Sequence, residues 1–467
     1  MSEKTKQLKE MLFNKKENAI DFMSDEELAV CDEFCEGYKE FLGECKTERE
    51  VAAWVENLAI NNGFVKFDEF GEPLEAGDKV YYANRGKSII LCVKGKRSIK
   101  DGVRISAAHI DSPRIDLKQC PIYEQDGLGL FKTHYYGGIK KYQWVAIPLS
   151  LHGRICKNDG TFVDVKIGEA PGEPKFCITD ILPHLGKEQM SRKTNEIVQG
   201  EELNVVIGSR PFKDDEESER IKLNLLSLLY EKYGIVERDF LSAELELVPA
   251  FTVDDIGFDR SLIGGYGHDD RVCSYPALQA ILDIDEAPEY TAITVLTDKE
   301  EVGSDGNTGL NSSYLRYFIE DLARFEGFEG RDVLRNSKCL SADVNAAFDP
   351  TWPSPFEKNN ASFVNHGVCV TKFTGAYGKS GTSDASAEFV GRIRNLFDKN
   401  GIIWQTGELG KVDAGGGGTV AQFIANLDFD VIDVGVSVLS MHAPFEITSK
   451  LDNYMAYKAF KVFFEDK

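Results

Sequence analysis

Short apolar runs that alternate with helical runs are the feature that most limits how this chain can fold. The runs KSIILCVKG and GVRISAAHI lie at 87–110, and TAITVLTD, SKCLSADV and FDVIDVGVSVLSM lie at 291–441. They have the length and β-branched content of buried strands. Amphipathic stretches follow them, among them NSSYLRYFIEDLARFEG, DASAEFVGRIRNLFDKNG and TVAQFIANL. This alternation predicts an α/β fold, in which a mainly parallel mixed sheet is flanked by helices.

The segment 116–249 differs in character from the sequence on both sides of it. Short strand candidates such as TFVDVKIG and NVVIGSRP are separated by Gly, Pro and Asp turns, and a single helical run, IKLNLLSLLYEKYG, interrupts them. A chain of 467 residues is also too long for one compact core. We therefore expect an inserted β-rich domain at 116–249 within a split α/β domain formed by 1–115 and 250–467.

The charge balance excludes some partners. Asp and Glu number 77 against 54 Lys and Arg, a formal net charge of −23 without a local basic patch, so we expect no nucleic-acid or membrane partner. The chain lacks eighteen consecutive apolar residues, and its first residues lack the apolar core of a secretory signal. Ten cysteines are scattered without a CxxC pair. These features predict a cytoplasmic protein with reduced thiols.

Polar residues stand at the ends of several predicted strands. In SAAHIDSPR a histidine ends the strand, and an aspartate two residues later points to the same face of the extended chain. Because the carboxyl ends of strands in α/β sheets meet at one crevice, the residues that follow the strands are expected to converge. These strand-end residues are His109, Asp111, Glu300, Glu301, Asp343 and His442.

A further carboxylate comes from GGYGHDDRV, which contains Asp269 and Asp270. Each motif alone has a structural explanation, such as a helix cap, a solvated pair of glutamates or a core histidine with satisfied hydrogen bonds. Their joint occurrence favours a metal centre. Two imidazoles and three or four carboxylates suit two divalent ions such as zinc, with one carboxylate shared between them. One of the adjacent glutamates would bind metal, and its neighbour would accept a proton from the attacking water.

The motifs HIDSPR, TDKEEVGS, SADVNAA, GGGGT and LSMHAPFE occur in this order across most of the chain. This ordered set resembles the aspartyl aminopeptidase and aminopeptidase I family of dinuclear zinc exopeptidases, particularly its bacterial aminopeptidase 1 branch. The resemblance implies a zinc exopeptidase-like catalytic domain at 1–115 and 250–467. It also implies release of N-terminal amino acids from peptides by a water that two zinc ions and a glutamate activate. Co²⁺ or Mn²⁺ are possible replacements for zinc.

The resemblance assigns roles to the strand-end residues. Glu300 becomes the general base, and Asp111 orients His109. Asp269 becomes the bridge between the ions, with Asp270 as the alternative, because this chain reads His-Asp-Asp-Arg where the family has Arg-Leu-Asp-Asn. The implied metal ligands are His109 and Asp343 for one zinc, Glu301 and His442 for the other, and Asp269 for both.

Family members use the inserted domain for dimerisation, and six dimers commonly form a dodecamer. A histidine in a Pro-His-Leu segment reaches into the partner's active site, and here that residue is His184. By resemblance, His184 would stabilise the oxyanion of the tetrahedral intermediate. A surface-loop histidine is the alternative interpretation.

Substrate preference depends on departures from the family pattern. Acid-selective members carry a histidine where this chain has Asp349, and a lysine that falls here on either Thr371 or Lys372. A carboxylate at position 349 would repel acidic side chains, so neutral or basic N-terminal residues are at least as plausible as substrates. Gly417 lies in the glycine turn that the family places near the substrate.

Two other functions remain open from the sequence. A related dinuclear deacylase or carboxypeptidase would share the metal ligands, since a metal set alone does not define the substrate. A self-assembling scaffold with a degenerate site is the second alternative, although the predicted ligands and base are all present.

Overall fold

The secondary structure is taken from a computed structural model that describes residues 2–213 and 218–467. The strands of these residues are β1 (Val65–Lys66), β2 (Lys79–Asn84), β3 (Ser88–Val93), β4 (Val103–His109), β5 (Arg114–Gln125), β6 (Leu128–Tyr136), β7 (Leu149–Cys156), β8 (Phe162–Ile167), β9 (Cys177–Ile178), β10 (Val205–Gly208), β11 (Ala243–Pro249), β12 (Asp254–Ile256), β13 (Leu262–Gly265), β14 (Thr291–Thr297), β15 (Lys338–Ser341), β16 (Asn345–Ala346), β17 (Val368–Thr371), β18 (Trp404–Thr406), β19 (Asp430–Gly435), β20 (Ser437–Leu439) and β21 (Glu446–Ser449). The α-helices are α1 (Glu3–Leu12), α2 (Asp25–Glu44), α3 (Glu48–Asn61), α4 (Lys187–Ser191), α5 (Arg220–Tyr233), α6 (His268–Leu282), α7 (Tyr314–Phe325), α8 (Gly330–Leu334), α9 (Ala387–Lys399), α10 (Ala421–Ala425) and α11 (Lys450–Glu465).

A nine-stranded sheet runs in the order β1-β2-β3-β14-β4-β15-β19-β17-β18. Its centre, β14-β4-β15-β19, is parallel throughout, with Ala107 level with Val295 on one side and Ser341 on the other. The carboxyl ends of these four strands therefore open onto the same edge of the sheet.

Helices cover both faces of this sheet. In α7, the buried residues Leu315, Phe318, Ile319 and Leu322 recur at helical spacing and pack into one apolar layer. α6 and α11 belong to the layer on the other face, with side chains such as Phe460 fully buried. The expected α/β architecture with a mainly parallel sheet is confirmed.

A seven-stranded sheet, ordered β8-β7-β11-β5-β6-β10-β9, occupies the middle of the chain. All its strand pairs are antiparallel, and it has a core of its own that includes Trp144 and Leu247. The strand that enters it and the strand that leaves it are neighbours, because Ile115 of β5 pairs with Leu247 of β11. The expected β-rich insertion is confirmed.

A small third sheet has the strand order β12-β13-β21-β20-β16. In it, Gly265 of β13 pairs with Glu446 of β21, which brings Glu446 close to the turn before α6. Among the described residues, the structure contains no helix that is both long enough and apolar enough to cross a membrane.

Candidate metal centre and substrate cavity

One half of the candidate site is built around His109, the last residue of β4. Its Nε2 lies 3.0 Å from Asp269 Oδ1 and 3.9 Å from Asp343 Oδ1. Glu300, which follows β14, places Oε2 3.9 Å from the same nitrogen. Residues from three strand ends and from the start of α6 thus meet at one imidazole.

The other half is built around His442, which follows β20. Its Nε2 lies 3.1 Å from Asp269 Oδ2 and 3.6 Å from Glu301 Oε2. The two oxygens of Asp269 therefore face two different imidazoles. The neighbouring Asp270 instead accepts a hydrogen bond from the backbone N–H of His109 at 3.3 Å. The geometry favours Asp269 over Asp270 as the shared carboxylate.

The charges of this site suit a divalent cation. Burial raises the pKa of Glu301 well above its usual range, and the charge of Asp269 adds to this effect. Burial likewise raises the pKa of Asp343, with the charge of Glu300 as the next cause. Within the described part of the chain, His109 Nε2 and Glu301 Oε1 are buried without a hydrogen-bond partner. A bound cation would use these free donor atoms and offset the carboxylate charge, and imidazole nitrogen with carboxylate oxygen is a zinc-binding donor set.

Asp111 accepts hydrogen bonds from residues of both halves of the site. Its Oδ1 accepts the backbone N–H of Glu300 at 3.1 Å, and its Oδ2 accepts that of Glu301 at 3.2 Å. Its backbone carbonyl accepts a hydrogen bond from His109 Nδ1 at 2.9 Å. Because a carbonyl can only accept, Nδ1 carries the proton and Nε2 presents its lone pair to the site.

Glu446 holds the backbone of Asp269 and of His442 in a similar way, and the sequence did not indicate it. One carboxylate oxygen accepts the backbone N–H of Asp269 at 3.1 Å, and the other accepts that of His442 at 2.7 Å. The carbonyl of Gly138 accepts a hydrogen bond from His442 Nδ1 at 2.7 Å. The available signal was the position of Glu446 four residues after His442, within LSMHAPFE.

Glu300 is placed for proton transfer. Burial raises its pKa to about 7, partly offset by His109, while Asp111 raises the pKa further. A carboxyl group with a pKa near neutrality both accepts and returns a proton at working pH.

A cavity of about 590 Å³ opens directly from these residues. Its wall includes the glycine turn, in which Gly416 has φ +120° and approaches the backbone of Gly375 so closely that a Cβ would lie 2.0 Å from the carbonyl oxygen. The described lining residues contain no lysine or arginine. The lining includes Asp269, Glu300, Glu301, Asp343, Thr371, Thr374, Gly416, Gly417, Gly418, Thr419, Asp433, Met441 and His442.

The structure places the expected substrate-contacting residues differently. Gly417 and Thr371 line the cavity. Lys372 is not among the described lining residues and forms an ion pair with Asp384 instead. Asp349 is also not part of that lining, and its side chain accepts the backbone N–H of Thr351 at 2.8 Å in a turn. Neither Asp349 nor Lys372 is therefore among the described residues of this cavity that could contact a substrate side chain, as the predicted effect on specificity requires.

His184 lies in an exposed segment between β9 and α4. It is not among the described residues that line the cavity of its own chain. Exposed apolar side chains surround it in sequence, and Leu185 is 69% exposed.

Comparisons with known proteins agree with this site. A family model described as aminopeptidase I zinc metalloprotease (M18) matches residues 41–464. A probable M18 family aminopeptidase 1 of Clostridium acetobutylicum is 46% identical over 459 residues, which cover 97% of this chain and 98% of that protein. The crystal structure of an M18-family aminopeptidase from Thermotoga maritima matches with a TM-score of 0.93 at 42% identity, covering 97% of this chain and 100% of that chain.

A structure of the S. cerevisiae mApe1 dodecamer matches with a TM-score of 0.75 at 22% identity, covering 94% of this chain and 96% of that chain. At this identity the match shows a common fold. The family model covers most of the chain, and the curated relative extends over nearly its whole length. The chain therefore belongs to the M18 family of aminopeptidase I zinc metalloproteases and is a peptide hydrolase.

Proposed function

We propose that the site holds two zinc ions and removes single residues from the N-termini of peptides. His109 and Asp343 would hold one ion, Glu301 and His442 the other, and Asp269 both. The observation that carries this proposal is the position of Asp269, whose two oxygens lie 3.0 and 3.1 Å from the Nε2 atoms of His109 and His442. Co²⁺ and Mn²⁺ share a preference for such nitrogen and oxygen donors and are possible substitutes.

The side chains of the site have separate chemical roles. Zinc, when bound, lowers the pKa of a water and polarises the carbonyl of the scissile bond. Glu300 accepts the proton from the attacking water and returns it to the leaving amine. Asp111 and Glu446 hold the backbone of the ligands and of the base, so these groups stay oriented during turnover.

The cavity favours an amino terminus over a carboxyl terminus. Its described lining contains several carboxylates and neither a lysine nor an arginine. A carboxypeptidase needs a cationic side chain to bind the substrate carboxylate, and the described lining offers none. An acidic N-terminal side chain would likewise have no lysine or arginine of that lining to pair with, so we propose neutral or basic N-terminal residues as the preferred substrates.

The test compares p-nitroanilides of Leu, Lys and Asp with their N-acetylated forms, on enzyme loaded with zinc and on enzyme dialysed against a chelator. We expect zinc-dependent cleavage of the free-amine substrates, with Leu and Lys ahead of Asp. Equal cleavage of the acetylated forms would contradict the aminopeptidase function and favour a deacylase. Zinc binding without any hydrolysis would favour the scaffold.

We also propose that 1–115 and 250–467 form the catalytic domain and that 116–249 joins two copies of the chain. The exposed apolar residues near His184 support a contact surface there, and they are Ile181, Leu182, Leu185 and Met190. The dodecamer formed by the yeast structural neighbour supports six such dimers as the assembly. His184 would then complete the site of the partner. Ten unpaired cysteines, all within the described residues, support a cytoplasmic location.

A further inference from the structure

Tyr136, the last residue of β6, connects the inserted sheet to the candidate metal centre. Its hydroxyl donates a hydrogen bond to Asp111 Oδ2 at 2.8 Å. The same oxygen accepts the backbone N–H of Glu301 at 3.2 Å. The tyrosine therefore shares an acceptor atom with the backbone of a proposed zinc ligand.

The two residues after Tyr136 contact the same half of the site. Gly137 has φ +73°, and a Cβ there would lie 3.2 Å from Glu301 Oε2. The carbonyl of Gly138 accepts the hydrogen bond from His442 Nδ1 at 2.7 Å. Three consecutive residues thus contact Asp111, Glu301 and His442, and two of these three are the proposed ligands of one zinc.

Arg114 fixes the ring of Tyr136 in turn. Its guanidinium carbon lies 3.9 Å from the ring centroid, and the two residues pair across β5 and β6. Arg114 forms ion pairs with Glu48 at 3.2 Å and with Glu246 at 3.2 Å. Glu48 begins α3 and Glu246 belongs to β11, so the ring is held from both the catalytic unit and the inserted sheet.

We propose that Tyr136 is a positioning residue through which the inserted sheet holds Asp111, and thereby the zinc subsite formed by Glu301 and His442. The inference rests on the proposed two-zinc function. The hydroxyl fixes the plane of the Asp111 carboxylate, and that plane sets the backbone of Glu301. Loss of the hydroxyl leaves the carboxylate with one donor fewer, so the subsite nearest to Tyr136 loses affinity and the one at His109 and Asp343 keeps most of its own.

The first experiment measures zinc ions per chain by mass spectrometry while the intact assembly is equilibrated with increasing concentrations of a zinc chelator. Tyr136→Phe should release one ion at a chelator concentration about tenfold lower than the native enzyme does, since groups that orient metal ligands typically contribute 10- to 100-fold in affinity. Tyr457→Phe is the matched control, because Tyr457 also donates to a carboxylate, that of Asp283, at 2.5 Å but in another part of the molecule. Metal-free Tyr136→Phe and Tyr457→Phe should unfold at similar temperatures.

Retention of both ions by Tyr136→Phe at native chelator concentrations would overturn the inference. Native enzyme that never holds two ions would instead overturn the two-zinc site, and this inference with it.

A double-mutant cycle tests the route through Asp111. If Tyr136 acts through that carboxylate, Tyr136→Phe should cause no further loss of zinc affinity in an Asp111→Ala background, where the acceptor is absent. An equal fold-loss in both backgrounds would show that the tyrosine acts independently, and would contradict the proposal.

Discussion

Glu300 is partly buried next to His109, and its pKa is raised to about 7. Glu300→Gln keeps the size of the side chain but removes its ability to accept a proton. We expect the turnover of a Leu-anilide to fall by about 10²- to 10⁴-fold. Zinc content should stay near that of the native enzyme, because the proposed ligands are untouched. Steady-state kinetics together with metal analysis checks this prediction. The control is Glu33→Gln, because Glu33 is exposed. Near-native turnover of Glu300→Gln would refute the role of Glu300 as the base.

At the residue scale, the sequence indicated the side chains of the site that stand at or directly after the end of a strand. His109 ends β4 and Asp343 follows β15, so parallel-sheet geometry was enough to bring these two together, whereas His442 follows β20 of the third sheet. Glu446 and Tyr136 were missed because they act through hydrogen bonds to residues 177 and 25 positions away in the chain. Local patterns carry no information about these two distant partners, and the contact of Glu446 with His442 was the only local signal among the described hydrogen bonds of the two residues. The directions in which the side chains of Asp349 and Lys372 point could not be predicted from the sequence either.

Close strand packing is the feature that matters most at the scale of elements. A Cβ on Gly435 of β19 would lie 1.8 Å from the backbone oxygen of Asp343. Gly435→Ala should therefore displace the segment that carries this proposed ligand and lower zinc retention. The control is Gly391→Ala in α9, where a Cβ meets open space and should stabilise the fold by roughly 0.5–1 kcal/mol. Metal content and thermal unfolding separate the two outcomes, and native zinc retention by Gly435→Ala would contradict the packing argument.

A buried histidine links β7 to α3 and to the turn after β8. His152 Nδ1 lies 2.8 Å from Glu50 Oε1, and its Nε2 lies 2.9 Å from Glu169 Oε1. Burial lowers the pKa of His152, but the hydrogen bonds to Glu169 and Glu50 outweigh burial and raise it. Burial raises the pKa of Glu169, yet His152 and Lys46 bring it down to about 2.

These shifts set the direction of a pH effect on stability. The raised pKa of His152 stabilises the fold fully below about pH 6.5, and this contribution is lost as pH rises through the folded-state value. The lowered pKa of Glu169 stabilises the fold above about pH 4.5, and this contribution is lost as pH falls towards 2. His152→Gln should therefore lower the free energy of unfolding most between about pH 5 and 6.5, by on the order of 2 kcal/mol.

Urea unfolding across pH 4 to 9 checks this, with the exposed His134→Gln as the control. A difference between native and His152→Gln protein that grows above pH 7 would contradict the assignment.

The sequence predicted elements well where periodicity was long. The long amphipathic stretches NSSYLRYFIEDLARFEG and DASAEFVGRIRNLFDKNG contain α7 and α9, as their apolar spacing indicated. The small third sheet was not foreseen. Its strands are two to four residues long, as in β16 and β12, and so short a segment shows neither alternation nor a helical period.

At the scale of the whole molecule, the proposed contribution of His184 to a partner's site can be tested by complementation. Neither His184→Ala nor Glu300→Gln protein should turn over substrate well, and loss of one oxyanion donor is expected to cost roughly 3 kcal/mol in transition-state stabilisation. Mixed under conditions that exchange subunits, they should recover activity, because one site of each mixed dimer then has both groups intact. Light scattering and labelled subunits establish the exchange. Proven exchange without recovered activity would rule out a shared site.

The positions of the proposed ligands along the chain also bear on how the enzyme is made. They extend from residue 109 to residue 442, and the whole inserted sheet is synthesised between the first of them and the next, Asp269. A chain that emerges from the ribosome therefore has no complete metal site until residue 442 has been translated. With the proposed ligand set, a chain that terminates before residue 442 would lack one ligand of the second zinc and should therefore hydrolyse peptides poorly.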